Sequence, residues 1–317
     1  MTQCQAVDAG LTGSATFLVF SVRPGDGRIS AVRKVLSSVP DIAKNVSIRG
    51  GAGANLSCVA GVGSRLWDAL TALPRPAELH PFPEVRGPRR TAVSTPGDLL
   101  FHIRAERRDL CFEVERQLAE ALGDAVRLED RAVGFRYFDA RDLLGFVDGT
   151  ANPAGPEAVR EAVVIPASAD DSQATAVGGS YVVVQKYLHD MKAWKALSTE
   201  QQEAVIGRTK ADNVEIDDVD EGRQQAHKTL ATIEDADGGE HAILRDNMPF
   251  GAPSAGEFGT YFIAYSRRLW VVEKMMERMF LGNPPGLYDR ILDYSTPITG
   301  STFFVPPLST LDALGDK

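Results

Sequence analysis

Two stretches far apart in this chain follow one plan. LLFHIRAERRDLCFEVERQLA (Leu99 to Ala119) and GTYFIAYSRRLWVVEKMMERM (Gly259 to Met279) each read as an apolar strand, a paired arginine and a helix with one apolar face. The likeness lies in pattern more than in identity. Still, a strand-plus-helix unit cannot bury its apolar side alone, so a repeat of this kind points to a duplicated architecture. The length of 317 residues leaves room for two domains, each long enough to build its own core.

The rest of the chain fits that plan. Ala15 to Val22, Leu56 to Val62, Leu99 to Arg104 and Ala132 to Phe138 are short, apolar runs that read as strands. Ile29, Val32 and Leu36 are spaced like one helix face. Ser64 to Leu73 reads as a helix, and Leu110 to Leu122 as an amphipathic helix stopped by Gly123. In the second half, Ser180 to Tyr187 and Thr260 to Tyr265 read as strands. Helices are expected from Asp190 to Leu197 and from Leu269 to Phe280. The expected fold class is α+β, with two ferredoxin-like domains, each an antiparallel sheet with helices on one face. The joint falls near GFVDGTANPAGP, giving a domain of residues 1–147 and another of 148–317.

Charge and cysteine content narrow the function. The net charge of −9 and the absence of basic tracts argue against nucleic acid, since binding phosphates needs clustered Lys and Arg. The acidic run Glu215 to Glu221 reads as a solvated loop. Cys4, Cys58 and Cys111 form no C-x-x-C pair, which speaks against a disulfide framework or a zinc site and for free thiols in a reducing cytosol. No signal-like start and no long apolar run are present, so a cytoplasmic protein without a membrane partner is expected.

Three places can carry chemistry. In GFVDGTANP (Gly145 to Pro153) two glycines bracket Phe146, Val147 and Asp148, and glycine allows the backbone to approach a ligand closely. The same pattern also suits a plain interdomain turn. In LRDNMPFG (Leu244 to Gly251), Arg245 and Asn247 alternate, so on a strand both face one side and Asp246 the other. Together they offer fixed hydrogen-bond donors, although a strand edge with a surface arginine fits these residues too. Of the five histidines, His80, His102, His189, His227 and His241, local sequence singles out none; His227 follows a polar segment, Glu221 to Ala226, that reads as helical.

Taken in order, GFVDGTANP, VIGRTK (Val205 to Lys210), the isolated His227, RDNMPFG, TYFIAYSRRL (Thr260 to Leu269) and TPITGSTFFVPP (Thr296 to Pro307) resemble the dye-decolourising peroxidases, in particular their compact bacterial B class. The resemblance runs over nearly the whole chain. It implies a haem b cofactor held by the C-terminal domain, and reduction of hydrogen peroxide through a ferryl state at the expense of organic donors such as dyes and phenols. By motif it makes His227 the axial iron ligand and Asp289, in YDRILDYSTP, the acid on its other ring nitrogen. It makes Asp148, Arg245 and Asn247 the catalytic residues facing peroxide, and Arg208, Thr150 and Phe262 cofactor-binding residues.

These residue types suit those roles. A proximal imidazole donating to a carboxylate becomes a stronger ligand and favours breaking the O–O bond. Arg245 is permanently charged and can stabilise developing negative charge. Asp148 can move a proton only when ionised; burial raises its pKa and Arg245 lowers it. Bulky dyes would need electrons relayed from the surface, for which Trp194, Trp270, Tyr187 and Tyr261 are candidates, though aromatics at such positions also serve as core. The alternative readings are a haem-binding or haem-processing protein with little peroxidase activity, and a non-catalytic α+β oligomer. A homo-oligomer is expected. The end at LSTLDALGDK, without an extended tail, weighs against an encapsulin shell as a partner.

Overall fold

The computed structural model describes residues 3–167, 171–220 and 222–315. The N-terminal half runs β1 (Ser14–Val22), α1 (Arg28–Gly50), β2 (Ser57–Val62), α2 (Ser64–Leu70), a small hairpin of β3 (Val85–Arg86) and β4 (Thr91–Ala92), β5 (Leu99–Ala105), α3 (Arg108–Leu122) and β6 (Val126–Phe135). After α4 (Pro156–Val163) come β7 (Ser180–His189), α5 (Met191–Lys195), α6 (Thr199–Ile206), α7 (His227–Leu230), β8 (Leu244–Arg245), β9 (Met248–Ala252), β10 (Glu257–Ser266), α8 (Leu269–Leu281), β11 (Ser295–Pro297), β12 (Ser301–Val305) and α9 (Leu308–Gly315).

The strands form one sheet in the order β6-β1-β5-β2-β12-β7-β10-β8, with β11 on β7 and β9 on β10. All of its pairings are antiparallel. Read within each half, the four main strands take the order fourth, first, third, second, the split β-α-β arrangement of a ferredoxin-like fold. The duplication expected from the repeat is therefore present as topology.

The two half-sheets meet edge to edge, where Phe304 of β12 pairs with Val62 of β2. Sequence patterning does not reveal this joint, nor that the sheets then face each other. Along β1, Leu18 and Phe20 belong to the cluster under the helices, with Val32 and Leu36 of α1 and Val114 and Leu118 of α3. Phe17 and Val19 belong to a second cluster with Val182, Val184, Tyr261 and Ile263 of the other half. The rings of Phe17 and Tyr261 stack at 4.1 Å and 18°. Close contact between the sheets requires Gly134, where a Cβ would lie 2.3 Å from the Cβ of Met248. Helices thus cover one face of each sheet, and the other faces form a shared interior.

Three expectations need correction. α1 continues through Pro40 to Gly50, because the apolar stripe goes on with buried Val39 and Val46. β6 covers Val126–Phe135 rather than Ala132–Phe138; its outer residues Arg127 and Arg131 are exposed, so its apolar side is broken up, and the chain turns away where Phe138 and Ala140 take positive φ. Residues 222–226 are not helical; His227 itself opens α7, while Glu221 lies outside the described residues.

Candidate active site

Arg245 pairs with Ala264 across β8 and β10, and Phe262 pairs with Gln185 across β10 and β7. Paired residues share a face. Arg245, Asn247, Phe262 and Gln185 therefore all point to the helix side of the C-terminal sheet, as the alternation in RDN predicts. Asn247 Oδ1 accepts from the Ile263 amide at 3.1 Å, which fixes the amide so that Nδ2 reaches Asp148 Oδ1 at 3.5 Å. That contact is long for a hydrogen bond and marks approach more than strength. Among the described residues Arg245 makes hydrogen bonds through its backbone, to Asn152, and none through its guanidinium.

Asp148 is half-buried in a loop shaped by Gly145 and Gly149, at φ +96° and +83°, a left-handed region that glycine enters freely. Its amide donates to Ala140 O at 2.8 Å. Arg141 ties the loop down by donating to the carbonyls of Gly145, Lys210 and Ala211 at 2.9, 2.6 and 3.1 Å. Asn152, read from sequence only as closing the turn, does more. Its Oδ1 accepts from the Arg245 amide at 2.9 Å and its Nδ2 donates to the Arg245 carbonyl at 2.7 Å, locking the Asp148 loop to the Arg245 strand. Near Asp148 lies Asp142, whose carboxyl burial pushes up to about 7, with the Asp148 charge adding to the effect.

His227 Nδ1 lies 2.6 Å from Asp289 Oδ2, the imidazole 25% exposed and the carboxylate wholly buried. Asp289 Oδ1 also accepts from the Ile291 amide at 3.0 Å, so both oxygens are placed. A carboxylate at this distance holds the imidazole proton on Nδ1 and leaves the Nε2 lone pair available. No other histidine is so arranged. His189 has both nitrogens engaged, by Ser295 and Thr260, and burial lowers its pKa to about 4. His102 is in the interior between the sheets, and His80 and His241 pair with Glu273 and Asp235 near the surface.

Of the other residues singled out by resemblance, Arg208 donates to Glu215 Oε2 at 2.7 Å and to Asn213 O at 3.0 Å, and Asn213 Nδ2 donates to the Thr150 hydroxyl at 3.0 Å. Lys228, next to His227, reaches Glu215 and Asp218, both at 2.8 Å. Within the run read as a solvated loop, Glu215 and Asp218 thus hold α7 in place; acidic residues paired to a helix elsewhere in the chain leave no local trace. Of the electron-relay candidates, Trp194, Tyr187 and Tyr261 are buried, while Trp270 is 37% exposed.

One model, the N-terminal part of Dyp-type peroxidases, matches residues 5–136, and its C-terminal counterpart matches residues 139–310. This chain belongs to the Dyp-type peroxidase family. A dye-decolorizing peroxidase of Brevibacterium linens is 53% identical over 299 residues, 94% of this chain and 79% of that protein. A variant of DypB from Rhodococcus jostii RHA1, solved in complex with heme, superposes with a TM-score of 0.93 at 52% identity, covering 98% of both chains. The encapsulated DyP-type peroxidase from Mycobacterium smegmatis superposes at 0.91 with 49% identity, again covering 98% of both. This Dyp-type peroxidase shares with them its whole two-domain fold. Among its described residues no helix is long and apolar enough to cross a membrane.

Proposed function

We propose that this Dyp-type peroxidase binds haem on the helix side of its C-terminal sheet, between His227 and the face made by Asp148, Arg245 and Asn247, and uses that face to activate hydrogen peroxide. The observation that carries the reading is the 2.6 Å pair of His227 with the buried Asp289.

The residues fit such a group. Among the described residues no three His, Cys, Asp or Glu come together to hold a bare ion, so a metal bound by one imidazole must bring most of its ligands with it, as a porphyrin does. Gln185 Nε2 is buried without a partner on the same side of the sheet, beside half-buried Phe262. That is where a planar, partly polar group can supply both an acceptor and an apolar surface. His227 would hold the iron, Asp289 would orient that imidazole, Phe262 would form part of the wall, and Arg208 and Thr150 would form the polar rim toward carboxylate substituents. Haem, when bound, supplies the iron and the electrons that cleave the O–O bond.

On the peroxide face, Asp148 takes a proton from one peroxide oxygen and delivers it to the other, so that water leaves. Arg245 offsets the negative charge that builds on the separating oxygens. Asn247, fixed by the Ile263 amide, holds the Asp148 carboxylate in reach of that proton. The relative solved with heme supports this cofactor, and dyes and phenols are the expected electron donors.

The division into residues 1–147 and 148–317 is supported by the repeated strand order. The cytoplasm as its location is supported by three free thiols, and a homo-oligomer by Leu128 and Phe135 exposed on edge strand β6. The encapsulated relative supports an encapsulin shell as a further partner. The reading is tested by rapid mixing of haem-loaded protein with peroxide. Asp148→Asn should slow the reaction by about 10²-fold, the scale of losing a positioned proton carrier; an unchanged rate would remove Asp148 from its role.

A further inference from the structure

Arg245 and Asn247 act, on the reading above, as fixed donors. Yet they flank the end of a two-residue strand at the border of the sheet. Such a strand has few ladder bonds of its own; Asn152 holds the backbone of Arg245, and the Asp246 amide donates to Ile263 O at 3.2 Å. Between Arg245 and Asn247, Asp246 points to the opposite face, into the interior shared by the two sheets.

There its Oδ2 accepts from Arg104 Nη1 at 3.0 Å, with both side chains at 0% exposure. Arg104 stands on β5 of the N-terminal half and also donates to the carbonyls of Ala6 and Ala9. His102 Nε2 lies 3.8 Å from the same Asp246 oxygen, while its Nδ1 shares a 2.8 Å hydrogen bond with Tyr265 OH. Arg136 Nη2 is 3.8 Å from Oδ1, which has no hydrogen-bond partner.

Burying a carboxylate is costly even when it is paired, and apolar residues of similar size at such places are often as stable or more so. The pair is therefore poorly explained by stability. Geometry explains it better. A side chain tied across the interior at position 246 sets the rotation of the strand, and this rotation aims positions 245 and 247 at the pocket. We propose that Asp246, clamped by Arg104 of the other half, is a positioning residue for Arg245 and Asn247. The inference rests on the assignment of those two residues to the peroxide face.

The test uses the haem-loaded full chain and fluoride as a probe, because an anion on the iron is stabilised by the same donors without turnover. Fluoride is titrated by absorbance into wild type, Asp246→Asn, the apolar replacement Arg104→Met with Asp246→Leu, Arg245→Leu, and Arg245→Leu combined with Asp246→Asn. Loss of the clamp should weaken fluoride binding about 10- to 100-fold, the range for groups that orient a ligand-binding residue. Haem affinity should hold, and the apolar replacement should melt near wild type. In the Arg245→Leu background the Asp246→Asn change should add little. Wild-type fluoride binding in both clamp variants, or effects that simply add, would overturn the proposal. Unchanged fluoride binding in Arg245→Leu alone would instead overturn the assignment of Arg245 on which the proposal stands.

Discussion

Asp289→Asn separates the charge of the buried acid from its shape. In the native protein one carboxylate oxygen faces His227 Nδ1 at 2.6 Å and the other takes the Ile291 amide at 3.0 Å. An asparagine has a single acceptor oxygen for these two donors. If it serves Ile291, the NH2 group faces His227, and the imidazole proton must move to Nε2, the nitrogen needed by iron. If it serves His227, the Ile291 amide meets an NH2 group in a fully buried place. Either way a hydrogen bond to a charged group is lost, about 1.5–3 kcal/mol. At 1.4 kcal/mol per factor of ten this is a loss of about 10- to 100-fold in haem affinity. The assay is transfer of haem from loaded protein to a competing apoprotein, followed at the Soret band, with circular dichroism to show that the fold is kept. A variant that holds haem as tightly as wild type, with the same spectrum, would refute the reasoning that Asp289 sets the state of His227.

Arg245→Ala should slow the reaction with peroxide by about 10²–10³-fold, the scale of removing one fixed donor of charge stabilisation. Asp148→Ala should slow it less; stopped-flow absorbance would show the reverse order if proton transfer dominates. Phe17→Ala removes a ring stacked between the sheets and fully buried, so thermal unfolding should show a loss of about 3–5 kcal/mol, and a loss under 1 kcal/mol would mean that the sheets repack freely. Asp142, raised by burial from 3.8 to about 7, keeps its proton in the folded state over a range where the unfolded chain has released it. Its contribution to stability is thus full below about pH 4 and fades as pH rises to 7. Asp142→Asn should then raise the melting temperature at pH 8 more than at pH 4, and equal shifts at both would contradict the assignment.

How much of this was legible in the sequence depends on the range of each interaction. The strand and helix of each repeat unit could be read because periodicity is local, and the facing of Arg245 and Asn247 because alternation along a strand is fixed by the pleat. The apolar pattern sets β6 too late in the chain because charged residues on its exposed side interrupt it. Only family resemblance links Asp289 to His227, since a contact across 62 positions leaves no spacing to recognise. Asn152 could have been suspected from its place between two loop glycines and a proline, but its partner, the Arg245 backbone, carries no side-chain signal. The joining of the half-sheets, and with it the Arg104–Asp246 pair, depends on how two complete domains meet.

The most direct test of the account is the absorbance of haem-loaded protein before and after one equivalent of hydrogen peroxide, for wild type, Arg245→Ala and His227→Ala. The account predicts a rapid change of the wild-type Soret band, a much slower change in Arg245→Ala, and weakened haem retention or altered ligation in His227→Ala. A His227→Ala protein that keeps the wild-type spectrum and the wild-type response to peroxide would contradict it.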